Sequence, residues 1–168
     1  MNKTTFTLEY EVYDSIESLD DSDRQLLESA RKSTELAYAP YSKFLVGATA
    51  KLLNGQLVHG SNQENASYPV GICAERVLLS TSSTLYPNIP LHTMAIAYRN
   101  LQGESNRPIS PCGLCRQTMV EFENRTGHPF RVILSGMEGQ VFIIPKASGL
   151  LPLSFTKSDL LSDTTNES

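Results

Sequence analysis

Apolar and polar positions alternate at Phe6, Leu8, Tyr10 and Val12, which predicts a strand over residues 6–13. Ser22-Asp23-Arg24-Gln25 has the S-x-x-Q form of a helix-start box, and a helix is expected from about Asp23 to Ala39, stopped by Pro40. Apolar runs at 44–53 and 56–60 flank Asn54-Gly55, a pair that tolerates positive φ, so a β-hairpin is expected there. Residues 62–71 lack periodicity and contain Pro69, which predicts a loop. The pattern then predicts a helix from Cys73 to about Leu85 and a buried strand from Met94 to Tyr98. Residues 101–111 carry Gly103, Pro108 and Pro111 and read as a loop. A helix from Gly113 to about Asn124 follows, then strands at 130–134 and 140–144 around a Gly136/Gly139 turn. Helices interleaved with short strands point to a three-layer α/β/α sandwich around a mixed sheet.

The 168-residue length matches a single domain over residues 1–168, with an N-terminal extension at about 1–22 and a polar, fraying tail at about 159–168. Lys and Arg total 14 against 18 Asp and Glu, a net charge of -4, which disfavours a protein that coats nucleic acid. The opening stretch has no apolar core of the secretory kind, and the longest apolar runs, such as Val141 to Ile144, are too short for a bilayer. A cytoplasmic protein without membrane contact is expected, with its thiols reduced.

In that setting the three cysteines change the picture. An odd number excludes a fully paired disulfide framework, and a closed structural zinc site needs four ligands. Cys73 opens one predicted helix; Cys112 and Cys115 open another, as C-x-x-C. Helix N-termini present orphan N–H groups and a positive dipole end, which favour the metal-binding thiolate. Four readings compete: buried core thiols, a redox pair, a Cys3His structural zinc completed by His59, His92 or His128, and a zinc site with one open position. Glu75, two residues after Cys73, favours the last, because a carboxylate near the ion but not bound to it is where a general base is needed.

Cys73-Ala74-Glu75 followed by Pro111-Cys112-Gly113-Leu114-Cys115 resembles the C/H-x-E…P-C-x-x-C signature of the zinc nucleoside and nucleobase deaminases. Ala39 to Phe44, Val46-Gly47-Ala48, Asn62 to Pro69 and Cys73 to Arg76 extend the likeness to the small, homotetrameric cytidine deaminases over roughly residues 24–160. The resemblance implies a cytidine deaminase-like fold and Zn2+ held by Cys73, Cys112 and Cys115. It implies water attack at C4 of the pyrimidine, with Glu75 moving the protons and Arg76 hydrogen-bonding the ligand sulfurs. It implies a free nucleoside as substrate, cytidine or 2′-deoxycytidine, in pyrimidine salvage. Asn62 and Glu64 correspond to a sugar-binding pair and Phe44 to an aromatic that packs on the base. Ala66, Tyr68 and Phe155 match positions that reach a neighbouring subunit's site in a homotetramer. Thr49, Ser67 and Val77 depart from the family pattern at positions without acid–base or ligand chemistry. Two other outcomes stay open here: a deaminase of a related aminopyrimidine nucleoside, and a non-catalytic zinc-stabilised interaction protein.

Overall fold

The Asn54-Gly55 turn forms where it is expected. Gly55 sits at φ +85°, and Asn54 Oδ1 accepts from Gln56 N at 3.1 Å. It joins β2 (Phe44–Leu52) to β3 (Leu57–Ser61) in antiparallel register, Thr49 opposite His59. The other strands are β1 (Glu11–Tyr13), β4 (Leu91–Asn100), β5 (Arg131–Ser135) and β6 (Val141–Ile144). The helices are α1 (Asp21–Ser33), α2 (Ala74–Leu85) and α3 (Gly113–Thr126). These assignments come from a computed structural model that describes residues 1–160. The six-stranded sheet runs β1-β6-β5-β4-β2-β3. β4 and β5 pair in parallel and the other neighbours antiparallel, so the sheet is mixed, with α3 in the β4–β5 crossover.

Alternation along the strands builds two cores. Met94 and Ile96 of β4, with Ala48, Ala50, Val132 and Leu134, pack against Leu78 of α2 and Met119 and Phe122 of α3. Ala95 and Ala97, with Ile133 and Ile143, pack against Leu26, Leu27 and Ala30 of α1. The expected α/β/α layering is therefore present. Gly60 lets α2 lie flush on β3: a Cβ there would sit 2.4 Å from Ala74 O and 2.6 Å from Leu78 N.

Three expectations are corrected. The start of α1 is capped by Asp20, whose Oδ1 accepts from Asp23 N at 2.9 Å, and Ser22 lies inside the helix. The helix gives way to a 3-10 turn at Thr34–Leu36 before Ala39, because Tyr38 leaves to bond the 62–64 segment through its N–H to Asn62 O and its carbonyl from Glu64 N. The N-terminal strand is also shorter than 6–13. Only Glu11–Tyr13 find partners, on the four-residue β6, while Leu8 packs on the core and the Tyr10 ring lies 5.0 Å from Phe142. The expected polar tail falls mostly outside the described residues; Lys157–Asp159 within them form a 3-10 turn. No helix among the described residues is long and apolar enough to cross a membrane.

Candidate active site

Cys73 is the N-cap residue of α2 and Cys112 that of α3, and Cys115 lies in the first turn of α3. The parallel β4–β5 crossover sets the two helix starts side by side. Cys73 Sγ lies 3.8 Å from Cys112 Sγ, and Cys112 Sγ 3.5 Å from Cys115 Sγ. All three sulfurs fall within 4.8 Å of one another. A tetrahedral ion at about 2.3 Å from each sulfur needs sulfur pairs about 3.8 Å apart. The donor set therefore fits zinc, with three protein ligands and one position to spare. No histidine among the described residues joins the group. His59 Nδ1 instead meets Thr49 Oγ1 at 3.0 Å and His92 Nδ1 meets Thr93 Oγ1 at 2.9 Å, so the Cys3His alternative falls away.

The electrostatics favour a thiolate at the mouth of this group. The neighbouring Cys115 thiol draws Cys73 down to about 6, aided by Cys112 and by the Arg76 charge. Cys115, fully buried, is raised by the adjacent Cys73 and by its burial. Arg76 makes no hydrogen bond to a sulfur among the described residues; it acts on Cys73 through its charge. Glu75 is 5% exposed, and burial pushes its carboxyl up to about 7.

The other expected residues divide into three sets. Asn62 and Glu64 lie on the 62–64 segment that Tyr38 straps. Asn62 Oδ1 accepts from Val46 N at 2.8 Å and its Nδ2 donates to Phe44 O at 2.9 Å. Glu64 Oε2 accepts from Tyr41 N at 2.9 Å and Ser42 N at 3.2 Å. The Ser42 hydroxyl, then these amides, hold the Glu64 carboxyl below its ordinary value. Each side chain keeps spare capacity: Glu64 Oε1 and one Nδ2 hydrogen of Asn62 have no partner among the described residues. Phe44 stacks on Tyr98, with centroids 4.8 Å apart and planes at 11°. Tyr98, buried in β4 beneath that ring, is a neighbour that sequence reasoning did not single out.

A cleft of about 350 Å³ is lined by Tyr41, Ser42, Glu64, Asn65, Tyr68 and Gly71. Gly71 stands two residues before Cys73, so the cleft and the thiols share one stretch of chain. Ala66 and Phe155 are exposed and do not line it, and Tyr68 is 74% exposed at its edge. Phe155 is tied instead to α3, its carbonyl accepting from Gln117 Nε2 at 2.7 Å. Arg116, also missed from sequence, donates from Nε to Pro111 O at 2.8 Å and from Nη1 to Leu150 O at 3.2 Å.

Residues 20–127 match the family model described as the cytidine and deoxycytidylate deaminase zinc-binding region. A cytidine deaminase from Halalkalibacterium halodurans is 38% identical over 139 residues, covering 82% of this chain and 98% of the relative. One from Sporosarcina psychrophila is 34% identical over 136 residues, covering 81% and 93%. The crystal structure of cytidine deaminase from Burkholderia pseudomallei superposes with a TM-score of 0.67 at 40% identity, over 78% of this chain and 97% of that one.

Proposed function

The chain belongs to the cytidine and deoxycytidylate deaminase family, and from that premise we propose that it converts cytidine and 2′-deoxycytidine to uridine and 2′-deoxyuridine with release of ammonia, in pyrimidine salvage. The observation that carries this reading is the trio of sulfurs at zinc spacing with the buried carboxyl of Glu75 on the same helix start as Cys73. Cys73, Cys112 and Cys115 would hold the ion. When bound, zinc supplies Lewis-acid activation of water near neutral pH.

The remaining work belongs to the chain's own side chains. Glu75 takes one proton from the attacking water and delivers it to N3 of the pyrimidine. It then carries the second water proton to the 4-amino group, so that ammonia leaves and the carbonyl forms. Its burial excludes bulk water, which would otherwise compete for those protons. Arg76 offsets part of the negative charge that three thiolates bring. The Phe44 ring, braced by Tyr98, packs against the base; such a contact is worth about 0.5–1.5 kcal/mol beyond area burial. Glu64 Oε1 accepts from, and the free Nδ2 hydrogen of Asn62 donates to, the sugar hydroxyls. Lys32 and the other charged groups of α1 lie on the opposite face of the sheet from this site, and the net charge of -4 suits an uncharged nucleoside better than a polynucleotide.

Exposed Tyr68 (74%), Val70 (65%), Leu114 (67%) and Phe155 (57%) support burial of the site's rim against further copies of the chain, in a homotetramer to which Ala66, Tyr68 and Phe155 contribute. Light scattering on the purified chain checks that assembly, and a monomer with full activity contradicts it. The catalytic reading is tested by Glu75→Gln. The variant is expected to keep its zinc while ammonia release from cytidine falls by about 10²–10⁴. Unchanged turnover rejects the role given to Glu75.

A further inference from the structure

Arg116 directly follows the ligand candidate Cys115, yet it makes no hydrogen bond to a sulfur among the described residues. It forms no ion pair among the described residues and spends its planar head on two carbonyls, Pro111 O at 2.8 Å and Leu150 O at 3.2 Å. The first of these matters for the site. The Pro111 carbonyl and the Cys112 N–H share one peptide plane, so fixing that oxygen fixes the plane from which Cys112 extends. The second matters for the C-terminal segment. Leu150 closes the 3-10 turn Ala147–Leu150, whose amides are held two helical turns further along α3: Glu123 Oε1 accepts from Ala147 N at 3.1 Å and Oε2 from Ser148 N at 3.1 Å. Beyond the turn, Gln117 Nε2 holds Phe155 O at 2.7 Å.

The segment past Leu150 has little apolar anchorage of its own. Leu153 is fully exposed with φ +56°, and Phe155 is 57% exposed. Segments held mainly by a few polar contacts open at low cost. A residue that grips both the loop before Cys112 and the start of this segment therefore transmits order between them.

We infer that Arg116 is a positioning residue that couples the thiol site to residues 147–155, so that a filled metal site and a docked C-terminal segment stabilise each other; this rests on the reading that the three thiols hold zinc. Arginine suits the task because its rigid fork spans two carbonyls, whereas a lysine ammonium on a flexible stem meets one of them.

The test follows zinc release to excess chelator and amide exchange of the 147–155 peptide. Wild type, Arg116→Lys and Arg116→Ala are compared, each zinc-loaded and stripped. In the wild type, stripping is expected to speed exchange at 147–155 by about 10-fold or more, the scale of one charge-assisted hydrogen bond. In Arg116→Ala the loaded protein is expected to exchange as fast as stripped wild type, with zinc release about 10-fold faster, and stripping adds little. Arg116→Lys falls between the two, and it carries the test if the alanine variant does not fold. Wild-type zinc release and exchange in Arg116→Lys, or exchange at 147–155 that ignores stripping, overturns the coupling. A wild-type chain that takes up no zinc overturns the metal reading and the coupling together. Neither readout depends on which nucleoside is the substrate.

Discussion

Gly60→Ala offers a sharp test of how the sheet sets the ligand spacing. The added Cβ would stand 2.4 Å from Ala74 O, 2.6 Å from Leu78 N and 3.0 Å from Leu78 Cβ. All three belong to the first two turns of α2, and two are backbone atoms that no rotamer change can move. Relief to an ordinary contact of about 3.4 Å requires α2 to lift by nearly 1 Å from β3. Cys73 and Glu75 flank Ala74 and move with it, while Cys112 and Cys115 ride on α3 and do not. Overpacking of this kind costs about 1–3 kcal/mol. In a chain of this length that lowers the Tm by roughly 2–4 °C per kcal/mol. The displacement should cost more in function: about 1 Å at a reacting group is worth on the order of 100-fold in rate. Gly47→Ala is the matched control. Its Cβ would stand 2.3 Å from Ala30 O and 2.5 Å from Thr34 N, an equal insult on the α1 face, which carries no thiol. Melting curves, zinc release to a chelator and initial deamination rates on both variants separate the outcomes. Both should melt earlier, but only Gly60→Ala should release zinc faster. Zinc release and turnover at wild-type levels in Gly60→Ala would refute the idea that the β3–α2 contact sets the sulfur spacing.

Glu123 is 5% exposed, and its carboxylate accepts three backbone N–H groups, from Phe130 at 3.0 Å, Ala147 at 3.1 Å and Ser148 at 3.1 Å. Glu123→Gln turns one of those oxygens into a donor facing a donor and should cost about 1–3 kcal/mol in a denaturant titration, with Glu123→Ala costing more. A Gln variant as stable as wild type would contradict these bonds. Asp23, nearly buried at the start of α1, makes a bidentate pair with Arg131 of β5, at 3.0 and 2.6 Å. Asp23→Ala should lower stability by about 1.5–3 kcal/mol while leaving turnover per folded chain intact, because α1 lies across the sheet from the thiols. Loss of zinc in that variant would show that the two faces are coupled more tightly than the layering implies.

Local chemistry made the central part of the fold readable in advance. Asn54-Gly55 announced its hairpin because few other pairs accept positive φ, and the three cysteines at two helix starts announced a shared anion-friendly corner. The start of α1 is ambiguous in the sequence because Asp20 and Ser22 are both competent caps, and burial of Leu26, Leu27 and Ala30 chooses between them. The N-terminal alternation overstates the strand: a strand extends only as far as its partner, and β6 offers four residues. Glu123, Arg116 and Tyr98 were not legible at all. The first two are satisfied by backbone groups up to 34 residues away, and the third by a ring on the adjacent strand, none of which leaves a mark in local spacing.

Zinc content measured alongside ammonia release from cytidine reads out the three-thiol site itself. The purified chain is assayed as isolated, after removal of metal by a chelator, and after zinc is returned. About one zinc per chain is expected, with deamination that vanishes and returns in proportion to it. A chain fully loaded with zinc that releases no ammonia, or one that deaminates undiminished after stripping, would contradict it.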